Sequence, residues 1–149
     1  MKHARCILVT AALAFAVQGM AHADLKAALA ERDLGRRSKL ALDNASSALK
    51  EARAAFEKGD TEKVAAAAKE VQESVDLAYD SLKSTGKDPR RSPKWFKHAE
   101  IETRDLLKKV ETLQHDLNFQ DRPMLDPLKA RVQQVHDELL LGLMEGKKR

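Results

Sequence analysis

The strongest constraint on this chain is a set of four segments in which apolar residues recur in alternating steps of three and four. Such steps place the apolar residues along one narrow face of an α-helix, as at the a and d positions of a coiled coil. In chain order, the seam residues are Leu42, Ala45, Leu49, Ala52 and Phe56; Val64, Ala68, Val71, Val75, Ala78 and Leu82; Phe96, Ala99, Thr103, Leu106, Val110, Leu113 and Leu117; and Leu125, Leu128, Val132, Val135 and Leu139. The pattern predicts an all-α protein, an antiparallel (up-down-up-down) four-helix bundle with coiled-coil-like a/d seams.

Helix-breaking residues separate the segments. Gly59 and Asp60 form a short break, which predicts a tight antiparallel hairpin between the first two helices. Residues 85–92 are the longest polar stretch and are predicted to form the main loop. At its end, Ser92 is the predicted N-cap of the third helix and Pro93 lies in its first turn.

Two regions leave alternatives open. The fourth helix has competing start signals at Asp121 and at Asp126–Pro127; we favour the second because a proline at the first helical position loses no hydrogen bond. Residues 24–37 form either a short extra helix or a loose N-terminal arm, with a break expected at Gly35–Ser38. A three-helix bundle with such an arm is the alternative fold.

The first 23 residues have the pattern of a cleaved signal peptide. A basic start precedes an apolar run over Ile7–Val17, and Ala21-His22-Ala23 gives the small residues that signal peptidase accepts. The run is too short for a membrane-spanning helix, which needs roughly 20 apolar residues. We therefore predict an exported protein, periplasmic if the source is Gram-negative and otherwise secreted, with residues 24–149 as one domain.

Removal of this segment also limits the chemistry. Cys6 is the single cysteine and lies within it, so the mature chain is predicted to have no thiol chemistry. Lys2 and Arg5 account for two charges of the formal +4, leaving +2. A balance this small does not suit a nucleic-acid-binding protein.

No catalytic or metal-binding pattern stands out. A Glu-x-x-His signature of di-metal bundles would need glutamate three residues before a histidine, and no histidine of the mature chain has one. With Phe96 at position a, His98 and His115 are predicted to face outward and His136 to lie beside the seam. We therefore expect no cofactor, no metal and no enzymatic activity.

A basic segment at the start of the third helix is the main candidate site. Its residues are Lys87, Arg90, Arg91, Lys94, Trp95 and Lys97. Cations at a helix N-terminus oppose the helix dipole, so they do not serve local stability. Beside an indole ring, they suit an acidic partner protein or an anionic membrane surface. The simpler interpretation is a polar loop whose tryptophan closes the end of the bundle.

The fourth helix carries more apolar surface than one seam can cover. Leu140, Leu143 and Met144 extend it and form a candidate homodimer face. Taken together, the sequence predicts an exported, non-catalytic helical bundle that acts as a binding, adaptor or chaperone-like module. A bundle that binds a small ligand, haem or a metal is the alternative.

Overall fold

The computed structural model describes residues 21–145, with side chains from Leu25 onward, and confirms the helical bundle. Its helices are α1 (Ala21–Ala30), α2 (Leu34–Glu57), α3 (Thr61–Ser84), α4 (Pro93–Asp116) and α5 (Asp126–Glu145). The four predicted helices are α2 to α5, and α1 is the short extra helix. Residues 1–20, which hold most of the predicted signal peptide, lie outside the described residues.

The four long helices form two hairpins. In the first, α2 and α3 are joined by Lys58, Gly59 and Asp60. Gly59 has a φ of 72°, a conformation that a residue without a Cβ adopts at little cost. Asp60 caps α3 by accepting a hydrogen bond from the backbone N–H of Lys63, and the Lys63 side chain lowers the pKa of Asp60.

The second hairpin pairs α4 with α5, and here both competing start signals are used. Asp121 precedes a 3₁₀ turn over Arg122–Leu125, and α5 begins directly after it at Asp126, as predicted. Lys129 and Glu111 join the two helices through an ion pair of 3.4 Å.

Long-range pairs show how the hairpins pack on each other. Near its start, α2 contacts the start of α4, and near its end Arg53 pairs with Asp116 of α4 at 2.5 Å. These two helices are therefore parallel neighbours. The helices α3 and α5 are also parallel neighbours, whereas α3 and α4 touch only slightly across the diagonal. Residues 85–92 cross this diagonal, which explains why the main loop is long.

The predicted seams form the core. Of the seam residues, only Phe56 is half-buried, and all the others are buried. The face of α2 toward α3 consists largely of alanines, including Ala41, Ala45, Ala48 and Ala52, so the backbones of this hairpin approach closely.

The predicted break at Gly35–Ser38 is wrong. The chain leaves α1 at Ala30 and enters α2 at Leu34, because Asp33 caps α2 by accepting a hydrogen bond of 2.8 Å from the backbone N–H of Arg36. Gly35 lies inside the first turn of α2. Residues 25–30 dock on the bundle, with Ala28 completely buried, so the arm is not loose.

Two further local predictions need correction. Ser92 precedes α4 as expected, but its side chain makes no capping hydrogen bond. His98 does not face outward: its Nε2 is buried and has no hydrogen-bond partner among the described residues. His115 is exposed as predicted, and His136 is half-buried beside the seam, 3.7 Å from a carboxylate oxygen of Glu100.

A buried polar cluster between α2 and α3 was not predicted. Asn44 lies in the core and donates hydrogen bonds to Ser74 at 2.9 Å and to Glu70 at 3.1 Å. A polar group in an apolar interface is stabilising only when its partner is opposite, so this cluster favours one register of the hairpin.

A second cluster joins the hairpins between α3 and α5. Arg131 forms an ion pair of 2.5 Å with Asp76, and the Tyr79 hydroxyl donates a hydrogen bond to Glu138. Partial burial, followed by this hydrogen bond, raises the pKa of Tyr79. The same bond lowers the pKa of Glu138, because it stabilises the carboxylate form.

Candidate functional site: the basic end of the bundle

One end of the bundle gathers segments that are far apart in the sequence. It contains the first turns of α2 and α4, the loop 85–92 and the last turns of α5. The indole of Trp95 lies directly over Gly35, which joins α4 to α2. Pro89 of the loop lies against Gly142, which joins the loop to α5. We call residues 31–37, 87–97 and 142–145 the basic end.

The basic end carries eight cationic side chains against four carboxylates. The carboxylates are Glu31, Asp33, Asp88 and Glu145, and the cations are Arg32, Arg36, Arg37, Lys87, Arg90, Arg91, Lys94 and Lys97. No ion pair joins any of these eight to a carboxylate among residues 25–145. All are exposed except Arg37, whose Nε donates a hydrogen bond to the carbonyl of Glu31.

The five cations predicted from the sequence, Lys87, Arg90, Arg91, Lys94 and Lys97, thus lie at the same end as three arginines that sequence reasoning missed. Arg32, Arg36 and Arg37 lie fifty or more positions earlier in the chain. Only the parallel packing of α2 on α4 brings them near the loop, and no spacing in the sequence signals it.

Trp95 has a structural role at this end. Its side chain is half-buried over Gly35, and the Nζ of Lys94 lies 4.5 Å from the centre of its ring, a cation–π distance. The tryptophan therefore closes the end of the bundle, in agreement with the simpler interpretation of the sequence. A contact between Trp95 and a partner stays a prediction.

The last turns of α5, which carry the predicted dimer face, lie at the same end of the bundle as the basic loop, because Gly142 rests on Pro89. Leu140, Leu141 and Met144 are exposed, and Met144 is 69% exposed. Leu143 instead packs against the core. The two predicted patches therefore lie at the same end of the bundle, where Gly142 faces the loop and Leu140 and Met144 project from the other side of α5.

The opposite end has the opposite charge balance. Residues 57–63 and 114–126 carry six carboxylates and three lysine or arginine side chains. Arg53 and Asp116 hold α2 and α4 together there. At 1.5 Å per residue, helices of 24 residues separate the two ends by roughly 36 Å. The bundle is therefore electrostatically polarised along its long axis.

Comparison of the chain with protein-family models, with curated proteins and with solved structures gives no match. No helix in residues 21–145 combines the length and the apolar character that crossing a membrane requires. Over the same residues, the His, Cys, Asp and Glu side chains form no group of three or more that could hold a metal ion.

Proposed function

We propose that this protein is an exported, non-catalytic binding module that docks end-on on anionic lipid surfaces through its basic end. The observation that carries the proposal is that cations with no ion pair among residues 25–145 and exposed apolar side chains lie at the same end of a charge-polarised bundle. Export is inferred from the residues that precede Asp24, as in the sequence analysis.

The cations supply the attraction. A lysine or arginine close to an anionic bilayer contributes about 1 kcal/mol at physiological ionic strength. If half of the eight side chains reach the headgroups, their total binding free energy is about 4 kcal/mol. This corresponds to a millimolar dissociation constant before any apolar contact is made.

The exposed apolar side chains add affinity and distinguish a lipid surface from a purely acidic partner. Leu141 and Met144 are exposed in the last turns of α5, at the same end of the bundle as the loop, so they can enter the boundary between headgroups and acyl chains as the cations engage phosphates. An acidic protein partner, the alternative expected from the sequence, uses the cations but has no general need for these side chains.

Charge polarity sets the orientation. An anionic surface attracts the basic end and repels the carboxylates at the other end, so the bundle approaches with its axis near the membrane normal. In this pose, the helix faces and the acidic end remain available to other molecules, as an adaptor requires.

Binding to vesicles tests the proposal. The full chain is mixed with vesicles of phosphatidylglycerol and phosphatidylcholine, or of phosphatidylcholine alone, and sedimented. We expect tighter binding to the anionic vesicles than to phosphatidylcholine alone, and the difference should shrink as salt is raised. Because every variant carries the same N-terminal segment, differences between variants are due to the substituted residues.

The decisive comparison is between two double charge reversals, one at the basic end and one away from it. Arg90→Glu/Arg91→Glu should weaken binding by about 30-fold or more, which corresponds to roughly 1 kcal/mol for each cation removed. The matched control, Lys58→Glu/Lys69→Glu, changes the net charge equally but away from the basic end. Equal losses in the two variants, or no binding of the original chain, would contradict the proposal.

A further inference from the structure

A groove between α2 and α4 is separate from the basic end. It has a volume of about 330 Å³ and is lined by Ser46, Leu49, Lys50, Arg53, Lys108, Lys109, Thr112 and Leu113. This volume is at the lower limit of the range found for small-molecule sites. From Lys97 at the basic end to Lys108 is eleven helical residues, or roughly 16 Å.

The groove exists because α2 and α4 belong to different hairpins. The alanines of α2 pack closely on α3, and the residues that α2 and α4 present to each other here are Ser46, Thr112 and long cationic chains. Among the described residues that line the groove, Leu49 and Leu113 are the large apolar ones, and they lie at its floor.

The charge at the rim is of one sign. Four of the eight lining residues are cationic and none is acidic. Arg53 is already paired with Asp116 at 2.5 Å. Lys50, Lys108 and Lys109 form no ion pair with another residue in the described part of the chain. Three like charges without counterions make the rim complementary to an anion.

The floor decides the class of anion. Leu49 and Leu113 underlie the groove but are almost fully buried, so its accessible apolar surface is mainly that of the aliphatic stems of Lys50, Lys108 and Lys109. A small inorganic anion would leave this apolar surface exposed to solvent, whereas an aliphatic chain would bury it, which is favourable. The stretch of α2 from Ser46 to Arg53 rises by seven residue steps, or roughly 10 Å, so it can contact most of one aliphatic chain laid along the groove.

We propose that the α2–α4 groove binds a single-chain aliphatic anion of the fatty-acid class, with its tail over Leu49 and Leu113 and its carboxylate at Lys108 and Lys109. This assigns a ligand-carrying activity to the bundle. The inference does not depend on the docking of the basic end, since the two sites share no residue.

Binding of dodecanoate at concentrations below micelle formation tests the assignment. Isothermal titration calorimetry should show one dodecanoate per chain, and amide shifts in nitrogen-correlated NMR spectra should be confined to the α2 and α4 residues of the groove. Two probes separate head from tail: acetate has the carboxylate without the chain, and dodecyltrimethylammonium has the chain with a cationic head. Neither should bind in the groove.

Variants of the groove test the contributions of its charge and of its volume separately. Lys108→Glu/Lys109→Glu should weaken dodecanoate binding by about tenfold or more, a loss equivalent to roughly 1.4 kcal/mol. Lys58→Glu/Lys69→Glu is the matched control, and Arg90→Glu/Arg91→Glu should affect vesicles but not dodecanoate. Thr112→Trp fills the groove without changing its charge and should abolish binding, whereas Thr112→Val should preserve it.

Three results would overturn the assignment: equal binding of dodecyltrimethylammonium, amide shifts centred on the basic end, or undiminished binding by the Thr112→Trp variant. If Lys108→Glu/Lys109→Glu fails to fold by circular dichroism, the comparison of Thr112→Trp with Thr112→Val decides the question.

Discussion

The contact between Trp95 and Gly35 fixes the geometry of the basic end, and a glycine-to-alanine change tests it. Placing a Cβ on Gly35 would put a methyl group inside the space of the indole ring. In a solvent-facing helix, Gly→Ala stabilises by about 1 kcal/mol, and less in a first turn. Here overpacking should cost about 1–3 kcal/mol, so Gly35→Ala should be destabilising by about 1–2 kcal/mol in total.

A double-mutant cycle separates this clash from other causes. With Trp95→Ala present, the added methyl group has room, and Gly35→Ala should become neutral or stabilising by up to about 1 kcal/mol. The coupling free energy between the two sites should then be about 2 kcal/mol. Gly142→Ala is the matched control, because the nearest atom of Pro89 is 3.3 Å from the added carbon, and its cost should be smaller.

Urea unfolding followed by far-UV circular dichroism is the assay, since Trp95 is the single tryptophan and its removal eliminates the fluorescence signal. If Gly35→Ala is as stable as the original chain while Trp95 is present, the indole does not lie over Gly35. The parallel packing of the first turns of α2 and α4 would then be wrong, and with it the composition of the basic end.

Three further predictions concern the clusters and the apolar patch. Asn44→Ala should be destabilising by about 1–3 kcal/mol in urea unfolding, because its buried partner Glu70 loses a hydrogen-bond donor; a cost no greater than that of an exposed alanine substitution would contradict it. The hydrogen bond from Tyr79 lowers the pKa of Glu138 in the folded protein, so this bond stabilises the fold at pH values above 4.5, the ordinary pKa of the group. The stabilisation is lost as the pH falls through the lower pKa of the folded protein. The stability difference between the original chain and Tyr79→Phe should therefore shrink in acid, and a difference independent of pH would refute the hydrogen bond as its source. Leu140→Lys should leave the fold intact, since Leu140 is exposed; light scattering that shows a dimer in the original chain and a monomer in the variant would confirm the predicted dimer face, and an unchanged mass would contradict it.

The sequence predicted the helices and their buried faces well, because both depend on local periodicity. A step of three or four residues places a side chain on the seam whatever the neighbouring helix is, so Leu106 or Val132 could be assigned to the core without a structure. Boundaries with a clear local signal, such as the capping residue Asp60 and the proline at the start of α5, were also predictable.

The errors arose where a distant residue decides the local structure. Gly35 indicated a break, but in the fold it makes room for Trp95, which is sixty positions away. His98 was placed outward by its heptad letter, although one of its ring nitrogens is buried. Local patterns give no account of such contacts.

Only part of the candidate site could be predicted, because some of its residues come together only through contacts between distant helices. The cations from Lys87 to Lys97 are contiguous in the sequence, whereas Arg32 and Arg36 join them only through the packing of two hairpins. The polarity of the two ends and the groove above Leu113 are also consequences of which helices are neighbours, and alternating apolar steps are compatible with several arrangements of four helices.

Energy transfer from tryptophan to a labelled lipid tests the central claim, end-on docking through the basic end, most directly. In the original chain, Trp95 lies at the basic end; in a Trp95→Phe/Phe119→Trp variant, the single tryptophan lies in a loop at the acidic end, where position 119 is 84% exposed. With dansyl-labelled headgroups in phosphatidylglycerol vesicles, transfer should be strong from position 95 and weak from position 119, since roughly 36 Å of helix separates the two ends. Equal transfer from both positions, or stronger transfer from position 119, would contradict end-on docking.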